Sequence, residues 1–157
     1  MAEKAKNDQS SSVEVYELAG ITQRFVANII DNLVLTLPFL LLQFVISPPE
    51  QPLDGQLLNF IVLAIPVAYH WYFWTHRDGQ TPGKFAMGIR VIKTDGEQLS
   101  DVDALIRAIG YHVSALLLGL GFFWAILDSK NQTWHDKMAR TYVVRTETQR
   151  KTIEIDV

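Results

Sequence analysis

Arg24, Asn28, Asp31 and Asn32 put a cation, a carboxylate and two amides at spacings of four, seven and eight residues. A helix turns once in about 3.6 residues, so all four share one face, while Val26, Ile29, Ile30, Leu33, Leu37 and Leu40 fall on the other. Such a stripe suits a proton or cation site, and it suits equally a hydrogen-bonded network that holds helices together. Asn59, Pro66 and His70 repeat the pattern at spacings of seven and four. The unperturbed His70 imidazole would titrate near neutrality and could relay protons to Asp31, or it could be an ordinary histidine at a membrane interface. The simplest packing sets the two stripes against each other. Arg24, Asn28, Asp31, Asn32, Asn59 and His70 would then form an intramembrane polar network, with Arg24 able to snorkel to the headgroups, to reach Asp31 or, if the C-terminal segment is cytoplasmic, to pair with Asp136 at the membrane surface and bridge the two acids.

The segments that must position these groups are apolar. Of the 157 residues 48% are hydrophobic, bunched into runs at about 25–46, 57–74 and 104–127. Phe25 to Ile46 carries no Lys or Arg and at roughly 1.5 Å per residue can cross a hydrocarbon core of about 30 Å. Without a basic lead or a small-residue cleavage pattern, it reads as a retained anchor. Tyr69, Trp71, Tyr72, Phe73 and Trp74 crowd the end of the second run, as an aromatic belt does at headgroup level. The Pro-rich segment from Ser47 to Gly55 closes a hairpin. Residues 1–14 read as a disordered tail, 15–146 as one membrane domain and 147–157 as a polar tail.

Between the second and third runs the chain changes character. Pro82-Gly83 suits the centre of a type II turn, Ile89 to Lys93 is β-prone and closed by Thr94-Asp95-Gly96, and Ser100 with Asp101 and Asp103 marks a helix start. Thr133 to Ala139 reads as a short helix and Thr141 to Arg145 as a strand. Of 14 Lys and Arg residues, three lie up to Arg24, five from Arg77 to Arg107 and six from Lys130 onward, with none in the 47–56 loop. The positive-inside rule places that loop outside and the N-terminus and 75–103 in the cytoplasm. A third run that spans would put six basic residues outside. One that turns back at Gly119-Leu-Gly121 keeps them inside and lets Tyr142 to Val144 pair with Ile89 to Ile92. The fold expected is an all-α membrane protein: a two-helix transmembrane hairpin plus a third apolar helix, spanning or re-entrant at Gly119 to Gly121, with a small cytoplasmic β element.

Several of these residues together resemble the RDD family of integral membrane proteins, from about Gly20 to Arg145. Arg24 and Asp31 correspond to the family's Arg and Asp in the first helix. Gly79-Gln-Thr81-Pro82-Gly83-Lys84, with Gly88-Ile-Arg-Val91 and Asp95-Gly96, matches its cytoplasmic stretch. Arg107 matches an Arg opening the third run, and His135-Asp136-Lys137 with Thr141 and Val143-Val144 the closing motif, Asp136 being the second Asp. The resemblance implies a multi-pass protein of the bacterial plasma membrane. Some members of the family are linked to sodium/proton antiport and others look like components of membrane complexes.

Other classes fall away. A net charge of −3 and no basic, aromatic-interleaved patch argue against nucleic-acid binding. The absence of cysteine excludes disulfides, thiolate metal sites and a Cys nucleophile. Gly79 to Lys84 is one residue short of a phosphate loop, and Phe85 stands where the hydroxyl is needed. No catalytic constellation, cofactor motif or metal-ligand spacing is present, so an enzyme is not expected. The expected partners are the lipid bilayer and other membrane proteins or further copies of the chain. Two classes survive: an accessory subunit or scaffold of a membrane complex, and an oligomeric cation/proton antiporter with Asp31 as coupling carboxylate. So few spans cannot enclose a pathway alone, and the second class therefore requires a homo-oligomer.

Overall fold

A computed structural model describes residues 16–46, 54–117 and 119–146. Two long helices dominate: α1 (Ile21–Ile46), which continues through Pro38, and α2 (Gly55–His76). Both are long and apolar enough to cross a membrane, with mean hydropathies of 1.5 over Ile21–Leu41 and 1.4 over Gly55–His76. The N-terminal tail, the Pro-rich loop from 47 to 53 and the C-terminal tail lie outside the described residues.

The third apolar run is two helices. α4 (Asp101–Leu116) and α5 (Leu120–Leu127) are separated at Gly119, whose φ of 76° is left-handed and suits glycine. α4 starts from Ser100, whose hydroxyl accepts from the Asp103 amide while the Asp103 carboxylate accepts from the Ser100 amide. At 16 residues it falls short of the roughly 20 that a span needs. α5 folds back on it so closely that a Cβ on Gly121 would run into the side chain of Ser114. The spanning alternative therefore gives way to the one that turns back.

Two short units complete the fold: α3 (Pro82–Ala86) with β1 (Ile89–Lys93), and α6 (Trp134–Met138) with β2 (Thr141–Arg145). The strands pair antiparallel, Ile89 opposite Arg145 and Lys93 opposite Thr141, the pairing that the returning third run allows. The chain ahead of α1 joins them: Leu18 bridges to Val144 and the Ala19 amide donates to the Val143 carbonyl at 2.8 Å. The expected turn at Pro82-Gly83 is instead the first turn of α3, with Pro82 at a position where a missing N–H costs nothing.

The two units are copies of one design. Val91 pairs with Val143 at the centre of the sheet, and every counterpart lies at that same offset of 52 residues. Gln80 and Gln132 donate their side-chain amides to the carbonyls of Ile89 and Thr141, at 3.1 and 3.0 Å. Thr81 and Thr133 cap the two helices. Gly79 and Asn131 both have positive φ, as do Gly88 and Arg140. The Thr94 amide donates to the Arg140 carbonyl and the Thr146 amide to that of Gly88, both at 2.9 Å. A pseudo-two-fold axis thus passes between Val91 and Val143. Ala19, Trp74, Ile89, Val91, Leu99, Ala104, Ala108 and Val143 form the buried core beside it.

Candidate functional site: two buried carboxylates

Each half of the pseudo-symmetric pair carries a buried carboxylate against its capping threonine. In the first half the carboxylate comes from α1. Asp31, 2% exposed, accepts from the Thr81 hydroxyl at 2.6 Å, the Gly83 amide at 2.8 Å and the Tyr69 hydroxyl at 2.9 Å. The Lys84 ammonium stands 3.9 Å away. Gly83 is required by proximity, because a Cβ there would collide with the Ala27 carbonyl and come within 2.9 Å of Asp31 Cγ. α3 is thereby pressed against α1.

In the second half the carboxylate belongs to the unit itself. Asp136 is fully buried and closes the N-terminal box of α6, accepting from the Thr133 amide at 2.8 Å and hydroxyl at 2.7 Å. Two guanidiniums meet it: Arg24 from α1 at Oδ2 and Arg107 from α4 at Oδ1. Oδ1 has no further hydrogen bond, so its stabilisation is ionic. Arg24 also donates to the Asn131 carbonyl, and Arg107 to the Thr141 hydroxyl. The first turn of α1 therefore grips one unit and its third turn, through Asp31, grips the other.

The counterpart positions Lys84 and Asp136 carry opposite charges, and α1 supplies the complement of each. Burial pushes the Lys84 ammonium down to about 8, Asp31 opposing that shift and Arg107 and Arg24 adding to it. Burial alone would raise the Asp136 carboxyl, but Arg107 and Arg24 hold it well below the usual carboxylate range. His135 is driven well below its ordinary value by burial, against the pull of Asp136, and is neutral. The Trp74 ring lies against both cations, 4.9 Å from the Arg107 guanidinium carbon and 5.7 Å from Lys84 Nζ.

Residues 18–140 match the RDD family. The chain belongs to the RDD family. It is 29% identical over 136 residues to the uncharacterized protein YckC of Bacillus subtilis (strain 168), covering 83% of this chain and 87% of that one. It is 25% identical over 146 residues to YxaI of the same organism, covering 80% and 96%. A proline-rich antigen homolog of Mycobacterium tuberculosis (strain ATCC 25618 / H37Rv) is 26% identical over 106 residues, which are 65% of this chain and 43% of that longer one. No solved structure matches. Arg24, Asp31, Arg107 and Asp136 all lie within the matched residues and close the two halves of the network.

The structure separates residues that the sequence grouped. Arg24 makes the expected contact with Asp136 but does not bridge to Asp31. Asn59 is exposed and takes no part in the network. His70 is buried, but its Nδ1 faces the Pro66 carbonyl at 2.8 Å and its ring packs on Trp74 and Tyr111, so it does not bond Asp31. Asn32 Nδ2 donates to the Asn28 carbonyl within α1. Contacts between α1 and α2 are sparse among the described residues, and the Asp31 partners come chiefly from α3. Gly79, with φ of 73°, lies against the Val91 backbone, while Thr81, Pro82, Gly83 and Lys84 build the Asp31 cradle. Sequence reading missed Tyr69 and Thr133 as members; the shared Gln-Thr at 80–81 and 132–133 was the signal that pointed to Thr133.

Proposed function

We propose that this protein is a structural or accessory subunit of a bacterial plasma-membrane complex, its charged network fixing a rigid docking head to a pair of membrane helices. The observation that supports this most is that both buried carboxylates are held by cations and by hydrogen bonds from the backbone or capping residues of the head. Asp31 has three hydrogen-bond donors and a cation, and Asp136 has two guanidiniums and its own cap. A coupling carboxylate has to exchange its ligands in every cycle, whereas these hold the backbone together. Buried ion pairs often contribute more to specifying one arrangement than to net stability. In this reading the N-terminus and the two-stranded head lie in the cytoplasm, as the basic residues ask. The protein makes its contacts with lipid, with other membrane proteins or with further copies of itself, and catalyses no reaction.

The test is purified protein in liposomes under an imposed proton gradient, with sodium and then potassium added. No cation-dependent proton flux above empty liposomes is expected. In parallel, the tagged chain extracted in mild detergent should retain stoichiometric partners that Asp136→Asn releases. Flux abolished by Asp31→Asn would overturn the accessory reading in favour of an oligomeric cation/proton antiporter.

A further inference from the structure

A cavity of about 430 Å³ lies between α1, α4 and α5, within the range of ligand sites. Arg24, Lys84 and Arg107 all line it, although each serves the carboxylate network on its other side. Phe25 and Ile29 of α1 and Phe123 and Ile126 of α5 also line it, and all four are exposed. The polar groups thus share the cavity with walls that continue onto the apolar outer flank.

The network leaves two things over at this floor. One is charge: three cations face the two carboxylates Asp31 and Asp136, leaving a surplus of one positive charge. The other is hydrogen-bonding capacity. Arg107 Nε and Trp74 Nε1 are buried without a hydrogen-bond partner among the described residues, and both residues line the cavity while only 1% exposed. A buried donor lacking an acceptor is costly, and an oxyanion answers both deficits at once. A free anion would meet the floor but leave the aromatic and aliphatic walls unused.

We propose that this cavity binds the singly charged phosphate of an anionic phospholipid, the headgroup on Arg107, Lys84 and Trp74 and an acyl chain leaving between α1 and α5. The surplus of one charge selects a lipid of net charge −1 over a zwitterionic one carrying the same phosphate. Recognition of phosphate by a guanidinium fork is a strong, directional interaction, and the walls add apolar contact area that a soluble phosphate does not use.

The test is native mass spectrometry of the delipidated full chain, titrated with phosphatidylglycerol, with phosphatidylcholine of the same acyl chains and with inorganic phosphate. Phosphatidylglycerol should bind at least about tenfold more tightly than phosphatidylcholine, and inorganic phosphate should neither bind at the same concentration nor displace the lipid. Asn28→Asp, at a position that lines the cavity, cancels the surplus charge and should weaken phosphatidylglycerol about tenfold. Ile126→Trp fills the cavity from the exposed side of α5 and should weaken it similarly without touching a charge. Equal affinity for the two lipids overturns the proposal, as does displacement by inorganic phosphate. If Asn28→Asp lowers the melting temperature of the lipid-free protein, Ile126→Trp decides alone: unchanged affinity for phosphatidylglycerol overturns the site.

Discussion

Arg24 is ion-paired with Asp136 across 112 residues of sequence, joining the first turn of the first long helix to the cap of the last short one. The pair is not isolated, because Arg107 reaches the other carboxylate oxygen. That asymmetry sets the order of the mutational effects. Asp136→Asn leaves two guanidiniums facing one another and should cost on the order of 3–5 kcal/mol. Arg24→Gln leaves Asp136 still paired to Arg107 and should cost less. In the double variant the loss should be smaller than the sum, with a coupling of about 1–3 kcal/mol. Thermal melting in detergent of the two single variants and the double measures it, and strictly additive losses would mean the two side chains do not interact.

The capping threonines should respond alike because they occupy equivalent places. Thr81 and Thr133 each accept from the amide three residues on and each donate a hydroxyl proton to a buried carboxylate. Valine keeps the shape and removes both bonds, losing a cap worth about 0.5–2 kcal/mol and leaving an acceptor short. Thr81→Val and Thr133→Val should both destabilise, while serine at either position should restore most of the loss. Melting that leaves serine no better than valine would argue that packing and not the hydroxyl matters.

Much of this arrangement was legible in advance, and the limits have physical causes. Asp31 could be placed in the interior because an ionised group among apolar residues must find partners. Its partners are not the expected Asn59, Pro66 or His70, because Thr81 and Gly83 lie 50 and 52 residues away and helical periodicity only relates residues on one helix. The strand pairing was readable from two β-branched runs that had to lie on the same side. The repeat was hidden because its halves keep the backbone and change the side chains. Between them Gln, Thr and one Val recur, while Lys84 and Asp136 invert the charge. The break in the third run was flagged by Gly119 and Gly121, but hydropathy averages across a single left-handed residue and reports one span.

The fold-back of α5 on α4 depends on one close approach. A Cβ at Gly121 would occupy the space of the Ser114 side chain, and Ser114 is itself buried with its hydroxyl donating to the Gly110 carbonyl at 2.8 Å. Gly121→Ala should therefore destabilise, by about 1–3 kcal/mol for overpacking. Ser114→Gly in the same chain opens the space and should recover part of that loss. Independent, additive effects of the two substitutions in melting experiments would show that α5 does not rest on Ser114.

Sidedness can be read with single cysteines, since the chain has none of its own. Gln56 at the start of α2 and Glu97 beyond β1 are both exposed. A membrane crossed by α2 should leave a cysteine at Gln56 accessible from outside and one at Glu97 accessible only after permeabilisation. Labelling of both from the same side would remove α2 as a span and with it the cytoplasmic placement of the sheet.

The last prediction follows from the buried ammonium of Lys84. In the unfolded chain this group keeps its proton to about 10.5, while in the folded protein burial lowers its affinity to about 8. Between those values the unfolded state binds more protons, and stability gained from this residue must rise with pH, at most about 1.4 kcal/mol per unit. Below pH 8 both states are protonated and the full desolvation cost is present, so no slope arises there from Lys84. Lys84→Met removes the titration and leaves Asp31 its three hydrogen bonds. The difference in melting temperature between wild type and Lys84→Met should therefore shift in favour of wild type as pH is raised from 8 to 10 and stay flat from 6 to 7.5. A difference that does not change across the upper window would mean that Lys84 keeps an ordinary affinity in the folded protein, and that its burial does not outweigh the attraction of Asp31.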